Sequence, residues 1–159
     1  MSTSVNAEVR LPGPVAALVD GADLAARVGQ TISLITTDEH GWPRLALLSI
    51  GEVYSQSGAD IRLALHAGSG TTAALTGSGR ALLNTVLDGV NYRIRITVRR
   101  LADTAAGPLA FFVGGIVGVD EDRVPYAELT SGITYRLNNE EAVVERWSGQ
   151  LALMKALTA

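Results

Sequence analysis

The chain has no cysteine among its 159 residues. This excludes disulfides, thiolate metal sites and cysteine nucleophiles together, and it fits a reducing, cytoplasmic setting. Histidine is nearly as scarce. The two copies, His40 and His66, stand far apart and leave too few ligands for a multi-histidine metal centre. No apolar run approaches the roughly 20 residues of a membrane span; the longest candidate, 108–119, is broken by Gly114, Gly115 and Gly118. Residues 1–10 are polar and read as a loose tail without the apolar core of a signal peptide. Positive charge is not in excess either: the formal net charge is −3, which argues against a general nucleic-acid binder.

Hydrophobic residues are plentiful, at 47%, enough to fill the core of one domain spanning 1–159. Segment 12–27 is rich in Ala, Leu and Val and predicts a helix, interrupted at Asp20-Gly21. The β-branched stretch 31–37 predicts a strand that turns at Asp38-Glu39-His40-Gly41 into a returning strand, 42–53, with Pro43 near its start. Ile61, Leu63 and Leu65 alternate with Arg62, Ala64 and His66, the pattern of a half-buried strand. A small-residue loop, 66–72, then opens a short helix, 72–75. Segment 80–87 reads as a strand, with a hairpin signal at Asp88-Gly89. Beyond it, Val90, Tyr92, Ile94, Ile96 and Val98 fall on one strand face, with Asn91, Arg93, Arg95, Thr97 and Arg99 on the other. Segment 103–108 is a loop, 111–119 fits strand or helix, and 133–137 predicts a last strand. Asn138, with Glu141 three residues on, caps a C-terminal helix over 139–157 whose Val143, Trp147, Leu151 and Met154 recur at helical spacing. Successive hairpins with short helices between them predict an antiparallel barrel, mainly β (α+β), with peripheral helices.

A few positions carry possible chemistry. Gly68-Ser69-Gly70-Thr71-Thr72 leads into a helix, where small residues let backbone N–H groups approach a phosphate; the same string also reads as a turn in which Ser69 or Thr71 is an ordinary N-cap. Arg44 carries a planar fork suited to a phosphate or carbonyl oxygen, or is a solvated outer-face charge. His66 ends a strand and is either a polar contact and proton shuttle or a surface residue. Arg93 and Arg95 either reach an anion or pair with Glu140, Glu141 and Glu145. The Gly114–Gly118 run follows no βαβ pattern and is not a dinucleotide loop. No arrangement supports a metal site or a Ser-His-Asp triad.

Three strings in order resemble the pyridoxamine 5'-phosphate oxidase-like split-barrel family: residues 32–51, similar to its opening hairpin; 61–86, similar to its third strand, phosphate loop, short helix and fourth strand; and 91–101, similar to its long fifth strand. The resemblance implies an antiparallel split β-barrel of the FMN-binding type, and a homodimer with flavin at the subunit interface. It implies a partner covering an apolar face around Ile94 and Ile96. It assigns FMN contacts to Arg44, Leu45, Ala46, Leu47 and Ser49 of the second strand, to Leu65 and His66, and to Ser69, Gly70, Thr71 and Thr72 of the loop; Arg93, as a cation able to reach the phosphate, joins them as a candidate contact. Of the family's Ser-Arg-Lys phosphate string, only Ser69 is present. The expected function is a flavin-dependent oxidoreductase-like protein acting on a small molecule, with no catalytic side chain and with neither nucleic acid nor membrane as partner. The alternatives are a deazaflavin-dependent reductase on the same fold, or a non-catalytic flavin- or haem-binding module.

Overall fold

The computed structural model describes residues 7–102 and 107–158. Helix α1 (Gly13–Leu18) and a 3-10 turn (Leu24–Arg27) precede β1 (Ile32–Thr37), β2 (Pro43–Leu48), β3 (Val53–Tyr54) and β4 (Asp60–His66). Helix α2 (Gly70–Ser78), β5 (Arg80–Leu87), β6 (Val90–Arg100), β7 (Leu109–Asp122) and helix α3 (Glu140–Lys155) complete the chain. The strands form one seven-stranded antiparallel sheet in the order β2-β1-β5-β6-β7-β4-β3, curled into a half-barrel. The fold class is therefore the antiparallel barrel with peripheral helices that the hairpin pattern predicts, split as the resemblance implies.

Side-chain alternation sets which face curls inward. Val90, Tyr92, Ile94, Ile96 and Val98 of β6 are all buried, joining Ile32 and Leu34 of β1 and Ile61, Leu63 and Leu65 of β4 in one core. The β5–β6 hairpin turns on Asp88 and Gly89, with φ of 50° and 78°, the left-handed pair that matches strand twist. Because the barrel itself covers Ile94 and Ile96, each 1% exposed, these two are not the face left for a partner. Exposed apolar residues on the outside of the sheet include Leu45, Leu47 and Val117.

Strand β4 departs from the half-buried expectation because both its faces are covered. Ile61, Leu63 and Leu65 enter the barrel, while Arg62 and Ala64 lie under α3. Trp147, Leu151 and Met154, at helical spacing, are the buried stripe of α3. Asn139, one residue after the expected cap, accepts from the Ala142 N–H at 3.4 Å and starts the helix. The first helical region breaks at Asp20-Gly21 as expected, into α1, ending at Leu18, and the 3-10 turn Leu24–Arg27.

Two expected strands change. The second does not run to Val53: Ser49 takes the Gly51 and Glu52 N–H groups onto its Oγ and carbonyl oxygen, and the chain turns there before β3. Segment 133–137 is not a strand. It touches the barrel through a single bridge, Gln30 to Thr134, and lays Tyr135 and Leu137 against the core. Segment 111–119 resolves as strand, so Gly114–Gly118 lies inside β7 rather than in a loop. Residues 7–10 carry no helix or strand; the rest of the expected N-terminal tail, and 103–106 of the expected loop, lie outside the described residues. Among the described residues, no helix is long and apolar enough to cross a membrane.

Candidate functional site

Strand β2 ends the sheet on one side, and β3, two residues long, leaves the far half of β4 without a strand partner on its other. Between them the barrel is split. A cleft of about 430 Å³ occupies the split. Ala46 and Leu48 of β2 and Ala64, Leu65 and His66 of β4 line it, with Ser69 and Thr71 at the start of α2 and Leu109 of β7. Hydrogen-bond register puts Ala46 and Leu48 opposite Leu34 and Ile32, on the barrel-facing side of β2. Arg44 pairs with Thr36 and shares that side.

The start of α2 is built from its own hydroxyls. Ser69 is the N-cap: its Oγ accepts from the Thr72 N–H at 3.1 Å and donates to Thr72 Oγ1 at 3.0 Å, which in turn donates to the His66 carbonyl at 2.7 Å. Ser69 and Thr72 are thus committed to shaping the turn. The N–H groups of Gly70 and Thr71, first in the helix, have no intrahelical acceptor, and the Thr71 hydroxyl has no partner among the described residues. The Arg44 guanidinium lies directly over Gly70, so that a Cβ at this position would collide with it. Arg44 forms no ion pair among the described residues. A cation, two free N–H donors and a helix N-terminus therefore share one corner, where the helix dipole adds to the positive potential.

The other predicted residues divide by face. Leu45 and Leu47 point to the outside of the sheet, 61% and 54% exposed. Leu47 and Ser49 also border an adjoining cavity of about 370 Å³ under segment 133–137. Arg93 is remote from the cleft: it sits opposite Asn84 and Asp120 and pairs with Asp122 at 3.0 Å. Arg95 lies across Gly118 on the same outer face. Neither arginine pairs with Glu140, Glu141 or Glu145, because α3 packs on β3 and β4 instead.

Three residues the sequence reading did not single out also line the cleft. Glu52 lies on the turn after β2, and Arg146 and Gln150 lie on α3. Burial pushes the Glu52 carboxyl above the usual carboxylate range, against the Ser49 hydroxyl that donates to it at 3.3 Å and the nearby Arg146 charge. The periodicity of α3 marks its buried stripe but not which polar positions border a gap, so nothing local in the sequence flagged these three.

No protein-family model matches the chain. Over 140 residues it is 34% identical to the uncharacterized protein YclD of Bacillus subtilis (strain 168), covering 87% of this chain and 91% of that one. The chain belongs to the family of YclD. Solved structures similar to it include a putative pyridoxamine 5'-phosphate oxidase from Lactobacillus delbrueckii (TM-score 0.53, 14% identity, 73% of this chain and 97% of that one). Another is an FMN-binding protein from Syntrophomonas wolfei (TM-score 0.50, 14% identity, 68% and 88%). The fold is that of the pyridoxamine 5'-phosphate oxidase-like, FMN-binding split barrels. It is shared by an F420 reductase (TM-score 0.51, 10% identity, 69% and 98%) and by HutZ, a haem storage protein from Vibrio cholerae (TM-score 0.50, 8% identity, 70% and 94%).

Proposed function

We propose that this protein binds FMN in the split of its barrel and serves as a flavin-dependent oxidoreductase for a small molecule. The observation that carries the reading is the corner where Arg44 lies over Gly70 at the start of α2. Glycine there admits the guanidinium, and the unspent Gly70 and Thr71 N–H groups give a phosphate its hydrogen bonds. The rest of the cleft suits a flat, largely apolar ring: Ala46, Leu48, Ala64 and Leu65 form walls that exclude water, and His66 gives one polar contact at the rim.

When bound, the flavin supplies hydride or electron transfer. The protein's part is to fix the phosphate at Arg44 and Thr71, to hold the ring between β2 and β4, and to keep the cleft dry. None of the lining side chains is placed as a nucleophile. Among the described residues there is no cluster of His, Cys, Asp or Glu able to hold a metal.

The test separates phosphate from ring. Arg44→Ala should weaken FMN binding by about 1.5–3 kcal/mol, the value of a hydrogen bond to a charged group, or roughly tenfold to 150-fold. Riboflavin, which lacks the phosphate, should bind the variant and the parent alike. Fluorescence quenching titrations read both; equal losses for the two ligands would remove the phosphate assignment.

The same reading includes a homodimer. One row across the outer face runs Leu45, Ile35, Leu82, Arg95 and Gly118, and the next runs Leu47, Ser33, Asn84, Arg93 and Asp120. With Val117 exposed, Leu45, Ile35, Leu82 and Leu47 form an apolar strip bordered by Arg93 and Arg95, the composition of a contact surface. The expected result of sedimentation velocity is a dimer that persists on dilution, and that Leu45→Glu with Leu47→Glu converts to monomer. A parent protein that runs as a monomer throughout would refute it.

A further inference from the structure

Gln150 and Arg146 stand four residues apart on α3, and so on one face of the helix, and both line the cleft. The Gln150 Oε1 is buried with no hydrogen-bond partner among the described residues. A buried polar atom without a partner is uncommon; this oxygen is closed to solvent, so a ligand in the cleft meets it once the carboxamide turns about its last bond. Arg146 has no ion pair within 4.0 Å among the described residues, although Glu52 borders the same wall. The Glu52 carboxyl instead accepts from Ser49. The cleft thus has a phosphate-like corner built by β2 and α2, and a second polar group, unspent, supplied by α3.

We propose that Gln150 and Arg146 read the imide edge of the flavin ring and that the Arg146 charge raises the potential of the bound flavin. This rests on the FMN reading above. The imide edge offers one N–H between two carbonyl oxygens. A carboxamide matches part of that pattern, because one end accepts and the other donates, and rotation about its last bond exchanges the two. A guanidinium only donates, so its match is a carbonyl oxygen. Reduction adds negative charge to that side of the ring, and a cation at the cleft wall favours the charged form. Glu52 opposes the effect. Burial pushes its carboxyl above the usual carboxylate range, against the Ser49 hydroxyl and the Arg146 charge. Of the other charged or titratable groups, His66 ends β4 and is solvent-exposed, and Arg44 stands over Gly70 at the phosphate corner.

Two measurements on the flavin-loaded protein test this without reference to any substrate. The first compares FMN with FMN methylated at the imide nitrogen. The parent should prefer FMN by roughly tenfold, the value of one hydrogen bond of about 1.4 kcal/mol, and Gln150→Leu should bind the two alike. The second is the midpoint potential. Arg146→Gln should lower it by about 30 mV, a tenfold change in the binding ratio of the oxidised and reduced forms for a two-electron couple, and Arg146→Lys should restore most of it. Arg146 is exposed, so this arm stands even if Gln150→Leu does not fold. Parent protein that binds both flavins equally, with a potential unmoved by Arg146→Gln, would overturn this proposal and leave FMN binding intact. Parent protein that binds no FMN would overturn both.

Discussion

Replacing Arg62 with Met should destabilise the protein by about 3 kcal/mol, the low end of the range for removing one partner of a buried ion pair. Arg62 is 8% exposed. One of its guanidinium nitrogens donates to the carbonyl oxygens of Met154, Lys155 and Leu157, at 2.7, 3.2 and 3.2 Å. These carry the negative end of the α3 dipole, so the charge and the helix terminus stabilise each other. A second nitrogen donates to Gln56 at 2.8 Å, and Nε lies 3.4 Å from Asp60. The guanidinium also stands 5.7 Å from the centre of the Tyr54 ring. Burial alone would raise the Asp60 carboxyl, but hydrogen bonds from Ser57, Gln56 and Ser55 outweigh it and hold the group below the usual range. Met fills the volume but leaves Asp60 and three carbonyl oxygens short of a donor. For a domain of this size the loss corresponds to roughly 6–12 °C in Tm. Arg62→Lys should recover less than half, because one ammonium cannot reach all these acceptors at once. Urea denaturation of the three proteins reads the effect. A Met variant within about 0.5 kcal/mol of the parent, the range of ordinary surface substitutions, would show that α3 is held by its apolar stripe alone.

Gly51→Ala should cost a similar amount by another route. Gly51 is buried, and a Cβ there would overlap the indole of Trp147, itself 2% exposed. The backbone conformation at Gly51 is not left-handed, so space and not φ is the constraint. The indole has to leave its site or the turn has to move. Displacing a buried tryptophan forfeits about 3–5 kcal/mol, the range for truncating one in a core, and partial relaxation brings the expected loss to about 2–4 kcal/mol. Trp147 fluorescence should shift toward the red as the ring meets water, and Trp147→Leu in the Gly51→Ala background should recover part of the stability. If Gly51→Ala melts with the parent and its emission is unchanged, the turn after β2 does not seat α3.

The two residues also show what the sequence made legible. The long alternation of β6 and the Asp88-Gly89 turn are local signals, and they read correctly because one hairpin satisfies them without distant help. Arg62 sat in an alternating pattern that reads as solvent-facing. Its burial depends on α3, some 90 positions along the chain, and no window of the sequence holds both. Segment 133–137 has strand-like residues but meets no free, aligned edge, so it packs as an extended cover. The apolar face offered to a partner was placed on Ile94 and Ile96. The sheet curls enough to enclose them, and curl is a property of the whole sheet rather than of one strand.

The candidate site divides in the same way. Ser69, Gly70 and Thr71 were legible as the start of a helix, and Ser69 caps it. Which donors stay free was not legible, because the Ser69-Thr72-His66 chain of hydrogen bonds exists only once the loop is folded. Arg44 was visible as a cation on a strand; that it lies over Gly70 follows from how β2 meets α2 across the split. Glu52, Arg146 and Gln150 came only from the fold.

The central claim is that the split of this barrel is a flavin site anchored at Arg44 and Gly70. Equilibrium dialysis of the purified protein against FMN, with F420 and haem in parallel, tests it most directly. The account predicts saturable FMN binding at one flavin per chain, weakened roughly tenfold or more by Arg44→Ala. Retention of F420 or haem in preference to FMN, or FMN binding indifferent to Arg44, would contradict it.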